Sequence, residues 1–449
     1  MATSRPYATA STLDVMFDPG FPHREELLQF IWEQQLFQRK DLKTTDGEMI
    51  EVIKPGRLHK NSGPDLQDGQ VRIGGQLWVG NIEIHVKSSE WFAHGHETDA
   101  AYNSVVLHVV FEHDVDIRTK AGARIPTLEL KDRIQPERIA AYQELMHTKA
   151  WIPCASQFAM ADHSRMPMWL ERVLIERLER KCGEVEVLYK QLGNDANETF
   201  WHVLARGFGL KTNAEPFGML ARALPLKILL KYRDDLFRLE ALLFGQAGLL
   251  QVDFLDEYPR QLQEEHRILA ALHELKPAPV AAWSFGRLRP PNFPTIRLAQ
   301  LAQLIAKSDG AFSQLLEHDD PASILVQLEV EATGYWSNHY RFDQAADLAP
   351  KRLGRSSAEI LIINTLVPYL FAMGRARGTE DLQDRALKLL ELLPPEHNAI
   401  LAGWAQLGLR ADTAARSQAL IELKNTFCDR RRCLCCAIGT GLLSQGAHT

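Results

Sequence analysis

The rhythm of apolar and polar positions changes once along this chain, near residue 135. In HREELLQFIWEQQLF, Leu27, Phe30, Ile31, Leu36 and Phe37 recur at roughly helical spacing, which predicts a first helix over about residues 23–38. Shorter runs follow. EMIEVIKPG, QVRIG, QLWVGNIEIHVKS and SVVLHVVFEHD read as strands, and VDIRTKAGARIPTLEL as a hairpin turning at KAGA. From about Pro136 onward almost every apolar run keeps helical period, as in MPMWLERVLIERLERKCGEVEVLYKQL, LPLKILLKYRDDLFRLEALLFGQAGLL and SAEILIINTLVPYLFAMGRAR. The breakers KPAPVAAW, RLRPPNFP and LPPEHN separate these helices. The pattern predicts an α+β chain: a leader over 1–22, a mixed α/β sheet domain over 23–148, and a large all-α domain over 149–449 that ends in a cysteine box.

One strand carries chemistry. Side chains two apart on a strand share a face, so Glu83, His85 and Lys87 in NIEIHVKSS point one way, and Ile82, Ile84 and Val86 the other. The preceding strand opens at Asp65, and the Gly74-Gly75 pair predicts a tight antiparallel return. That return sets Asp65 near the far end of the second strand, close to Glu83. Two carboxylates so placed suit Mg²⁺ or Mn²⁺, hard ions that prefer oxygen ligands. Such an ion acidifies a bound water and stabilises a leaving oxygen, and a neighbouring Lys or His⁺ offsets charge in the transition state. A merely polar strand face is the bland alternative.

GPD followed by E-x-H-x-K resembles the PD-(D/E)XK nuclease signature. The resemblance implies a restriction-endonuclease-like sheet, Asp65 and Glu83 as metal ligands, and a further Glu from the first helix, for which Glu26 is the candidate. His85 stands in the slot usually held by Lys, and Lys87 shares its face and can take over the role.

The next segment, EWFAHGHETDAAYNSVVLHVVFEHD, brings His94, His96 and His108. H-x-H on a loop suits Zn²⁺, or contacts to phosphate beside an Mg²⁺ site; His108, inside LHVV, reads as a core residue. The run GPDLQDGQVRIGGQLWVGNIEIHVKSSEWFAHGHETDAAYNSVVLHVV resembles the bacterial family called domain of unknown function 2851. So do ALLFGQAGLL, RLRPPNFPTIRLAQLA and CDRRRCLCCAIG. This resemblance covers nearly the whole chain after the first 20 residues and implies an architecture rather than an activity.

Six cysteines change the picture again, because four of them lie within nine residues. Cys428, Cys433 and Cys436 have the spacing C-x4-C-x2-C, which suits Zn²⁺ or three corners of a [4Fe–4S] cluster. Cys154 is the candidate fourth ligand, ahead of Cys435 and Cys182. Some nucleases with the PD-(D/E)XK core carry an iron–sulfur staple made of one distant Cys and a terminal triplet, although there the first Cys usually precedes the motif. Reduced cysteines packed at a helix end are the alternative.

Arg287 and Arg289 flank a proline loop and are candidate phosphate contacts. A net charge of −6 argues against a broadly basic nucleic-acid coat, so any nucleic-acid site must be a local patch. No run of about 18 uninterrupted apolar residues predicts a membrane span, and the expected compartment is the cytoplasm. The expected function is metal-dependent cleavage of DNA or RNA. The alternatives are a non-catalytic nucleic-acid-binding or scaffold protein with a structural metal, and a zinc hydrolase using His85, His94 and His96.

Overall fold

The computed structural model describes residues 25–59, 63–276, 283–308 and 312–445. The expected leader over 1–22 lies outside them. Contacts divide the chain into two compact units, one up to His163 together with Arg430 onward, the other Ser164–Asp429. This differs from the expected boundary near 148, and the expected cysteine box is split: Cys433 and Cys436 belong to the first unit, Cys428 to the second.

The first unit opens with α1 (Glu25–Glu33), whose Leu27, Leu28, Ile31 and Trp32 are buried. Its strands are β1 (Ile50–Lys54), β2 (Arg57–Leu58), β3 (Leu66–Ile73), β4 (Gln76–Lys87), β5 (Val105–Glu112) and β6 (Thr127–Glu129). They form one mixed sheet in the order β1-β3-β4-β5-β6, with β2 also paired to β3. β1, β3 and β4 run antiparallel; β5 is parallel to β4, and β6 to β5. The short helix α2 (Glu90–Ala93) lies on the crossover from β4 to β5.

The β3–β4 hairpin closes as its sequence demands. Gly74 and Gly75 take φ of 57° and 89°, the left-handed conformations of a type I′ turn, and Ile73 pairs with Gln76 across it. β4 is exposed over Gln76–Val79 and buried over Ile82–His85, where it becomes a central strand between β3 and β5. The expected hairpin after β5 survives only as a turn, with Arg118 bridged to Arg124. Its second arm is drawn instead into parallel pairing with β5, where Val109 and Leu128 sit in register and both are fully buried.

Two pieces complete this unit. Helix α3 (Pro136–His147) is tied to the chain end: Arg431 donates to the carbonyls of Leu145 and Thr148, and Arg138 to that of Leu443. Arginine is suited to such multiple capping because its guanidinium presents several fixed donors.

The second unit is helical, as its periodicity predicts, with α4 (Met166–Gln191) its longest helix. The run 224–250 breaks into Leu226–Lys231 and Leu236–Gln246, because Asp235 caps the second piece by accepting from the Arg238 N–H. Two small two-stranded sheets within 331–352 were not legible as strands, since each strand has only two or three residues. The stretch Arg355–Arg377 has the length and apolarity of a membrane span, but 78% of its apolar window is buried inside the protein, as for a core helix. A π turn at Ile362–Leu366 lets this helix continue past Pro368, which has no N–H to give.

Candidate functional site

The site stands on the buried half of β4. Ile82 and Ile84 are fully buried on one face, and Glu83 and His85 occupy the other with almost no exposure. Leu66 pairs with Ile82, which sets Asp65, just before β3, beside Glu83. The two carboxylates hold each other's strand. Asp65 N–H donates to Glu83 Oε2 at 3.0 Å, and Ile84 N–H donates to Asp65 Oδ2 at 3.1 Å.

Helix α1 adds Glu25, not the expected Glu26. Glu26 is exposed on the outer side of the helix. Glu25 and Gln29, four residues apart and therefore on one face, reach the site: Gln29 Nε2 donates to Glu25 Oε1 at 2.8 Å and also hydrogen-bonds Asp65. Burial, then the Asp65 charge, pushes Glu83 up to about 9. Burial, then Asp65, Glu90 and Glu26, pushes Glu25 up to about 8. Asp65 is raised as well, chiefly by burial. Three carboxyls crowded in this way are stable only if protons or a cation neutralise them.

The other side of Glu83 faces imidazoles. Glu83 Oε1 lies 3.3 Å from His96 Nε2 and 3.7 Å from His85 Nε2. His85 Nε2 is 3.1 Å from His94 Nδ1, and His85 Nδ1 is 2.8 Å from His108 Nε2. Among the described residues, one donor atom each from His85, His94 and His96 lies within 4.8 Å of the others. His108, read from sequence as core, is indeed fully buried, but parallel pairing of β4 with β5 also makes it the hydrogen-bond partner of His85.

Local structure aims these rings. Glu90 Oε2 accepts the N–H groups of Val86 and Lys87, which ends β4 and anchors α2. His94 is the last cap of α2, Gly95 turns the chain with φ 74°, and His96 swings back over the strand. There the His96 ring stacks on Tyr102 at 3.8 Å and meets Trp91 edge-on at 5.3 Å. Gln29, Trp91 and Tyr102 were missed in the sequence because nothing in their own pattern distinguishes them from surface or core residues.

Burial, followed by His108, His94 and His96, pushes His85 down to about 2. Burial likewise pushes His96 to about 4 and His108 to about 3. Burial thus disfavours the charged form of these imidazoles, which weighs against the cationic role expected of His85. Lys87 continues the same face, half-buried, in register with Glu112.

The chain matches the family described as protein of unknown function DUF2851 over residues 25–399. It belongs to that family. The match takes in α1, the whole sheet and every carboxylate and imidazole of the site, and stops short of Cys428. No curated protein and no solved structure matches this DUF2851 chain.

The remaining candidates fall elsewhere. Cys154, Cys433 and Cys436 are buried in the first unit. Burial, then Cys436, pushes the Cys154 thiol up to about 12, and burial, then Cys436 and Cys154, does the same to Cys433. Cys182 is core, with its Sγ against the Pro368 carbonyl at 3.5 Å. Arg287 and Arg289 are exposed residues of the second unit. Trp283 donates to the Ala247 carbonyl, and Arg297 is buried among Asn292, Gln300 and Ser357, so these two serve the helical core.

Proposed function

We propose that this DUF2851 member is a metal-dependent phosphodiester hydrolase acting on DNA or RNA through Glu25, Asp65 and Glu83. The observation that carries this reading is the reciprocal clasp of Asp65 and Glu83 at one end of a β-hairpin, with Glu25 converging from α1. The order of elements supports it: a helix, three antiparallel strands, a crossover with a helix, then a parallel strand. A helix followed by three strands is what the PD-(D/E)XK resemblance implies for its core.

The donor set fits a hard divalent ion such as Mg²⁺ or Mn²⁺, because three crowded carboxyls offer oxygen ligands whose mutual repulsion an ion would relieve in place of protons. When bound, the ion acidifies a water and offsets charge at the scissile phosphate. Asp65 and Glu83 would hold it from the paired ends of β3 and β4, and Gln29 steadies Glu25 and Asp65 together. The main-chain bonds fix the carboxylates before substrate arrives, so little reorganisation is needed. Lys87 lies further along the same face, half-buried. Glu25 and Asp65 are partly exposed and His94 is exposed, so the site has an edge in contact with solvent.

Purified protein should cleave single- or double-stranded DNA or RNA with Mg²⁺ or Mn²⁺, and Asp65→Ala and Glu83→Ala should each abolish cleavage. Full activity in both variants, or no cleavage of any of these nucleic acids with either ion, would sink the reading.

A further inference from the structure

We propose that His85, His94 and His96, with Oε1 of Glu83, form a second metal site for a transition ion such as Zn²⁺. Glu83 then bridges this site to the carboxylate site, giving a mixed two-metal centre. The bridging role rests on the hydrolase reading; binding of the transition ion does not.

The spacing carries the argument. An ion with four tetrahedral ligands at roughly 2.0–2.1 Å leaves its ligand atoms about 3.3 Å apart. Here His85 Nε2 and His94 Nδ1 are 3.1 Å apart, Glu83 Oε1 and His96 Nε2 3.3 Å, and Glu83 Oε1 and His85 Nε2 3.7 Å. Three edges of a four-donor shell therefore lie near this value, and the donor atoms of His85, His94 and His96 all lie within 4.8 Å of one another. Their chemistry differs from that of the neighbouring site: three imidazole nitrogens and one oxygen suit Zn²⁺, Co²⁺ or Ni²⁺, whereas an all-carboxylate set suits Mg²⁺.

The surroundings orient the ligands. His85 Nδ1 meets His108 Nε2 at 2.8 Å, while His108 Nδ1 is buried without a hydrogen-bond partner. A metal on His85 Nε2 would select the tautomer in which His85 Nδ1–H donates to His108 Nε2, at the cost of a buried His108 Nδ1–H without a partner. A second-shell acceptor of this kind is the usual support of a metal-bound imidazole. Tyr102 and Trp91 fix the His96 ring from its face and edge.

The test is Co²⁺ titration of chelator-stripped full-length protein, followed by its visible spectrum. We expect one Co²⁺ per chain with the d–d bands of a four- or five-coordinate ion, retained in Cys433→Ser, which removes a thiolate alternative. His94→Ala and His96→Ala should lose this spectrum while keeping the native unfolding transition. His108→Gln should weaken Co²⁺ binding roughly 10–100-fold, and Glu25→Gln and Asp65→Asn should leave the spectrum in place. Absence of the bands, or bands that persist in His94→Ala and His96→Ala, overturns the proposal. Mg²⁺-dependent cleavage without a Co²⁺ site would overturn this inference and leave the hydrolase reading standing; a Co²⁺ site without any cleavage would do the reverse.

Discussion

The main-chain N–H of Asp65 donates to Oε2 of Glu83 at 3.0 Å, so an acid at the mouth of one strand is bolted to an acid in the middle of the next. The bond satisfies a backbone donor with a carboxylate that is itself costly to bury. Sites that store such cost for function tend to lower the stability of the metal-free protein.

Glu83→Gln should therefore stabilise the chelator-treated protein at pH 7. Each unit of pKa shift corresponds to about 1.4 kcal/mol, and burial near the Asp65 charge holds Glu83 far above its ordinary value, so the gain should be on the order of 2 kcal/mol. Gln keeps an oxygen to accept from Asp65 N–H. Urea denaturation measures the difference, and Mg²⁺ should then stabilise wild type more than the variant. A loss of stability in Glu83→Gln would contradict the strained-carboxylate account.

Glu25 and Glu26 separate by helix phase. Glu25→Gln should weaken Mg²⁺ binding roughly 10–100-fold, and Glu26→Gln should leave it within about twofold, since Glu26 is exposed. Isothermal titration with Mg²⁺ reads both; equal effects would place α1 in the wrong rotation.

Gly95→Ala forces a left-handed φ of 74° on a residue with a Cβ, at a cost of about 1–2 kcal/mol. No atom stands closer than 3.9 Å to the added carbon, so the cost is conformational. Relief of that strain swings His96 off Tyr102. A lower melting temperature together with weaker Co²⁺ binding is the expected pair of results.

In the second unit, Glu240 is buried and accepts from Tyr258 Oη–H and from Trp336 Nε1–H. Burial pushes it up to about 7. The folded state thus holds its proton more tightly than the unfolded chain, where the value is 4.5. Its contribution is fully present below pH 4.5 and is lost as pH rises through about 7. The loss amounts to about 3 kcal/mol at most. Glu240→Gln should flatten the pH dependence of stability across that window; an unchanged profile would count against the assignment.

Within single elements the sequence was a reliable guide. Alternation along NIEIHVKSS put Glu83 and His85 on one face, and the Gly74-Gly75 turn brought Asp65 back to Glu83. Where the site depends on how elements meet, it was not. His108 read as core because its own strand is apolar, and only the parallel register of β5 on β4 sets it against His85. The sequence pointed to Glu26 and passed over Glu25 because a short amphipathic helix leaves its rotation open by one residue at its end. Cys154 sits in the same unit as Cys433 and Cys436 because residues from Arg430 onward return to the first unit, a long-range choice that no local spacing encodes.

By itself, then, the chain's pattern determined the long strands β1, β3, β4 and β5, the tight hairpin, the helical texture of the second unit and the pairing of two acids across β3 and β4. Tertiary structure alone decided that Glu83 would meet Asp65 with one oxygen and two imidazoles, those of His85 and His96, with the other. The reason is geometric: the periods of strand and helix fix which side chains share a face within an element, while neighbours across elements follow from crossover direction, helix rotation and what each buried surface must cover.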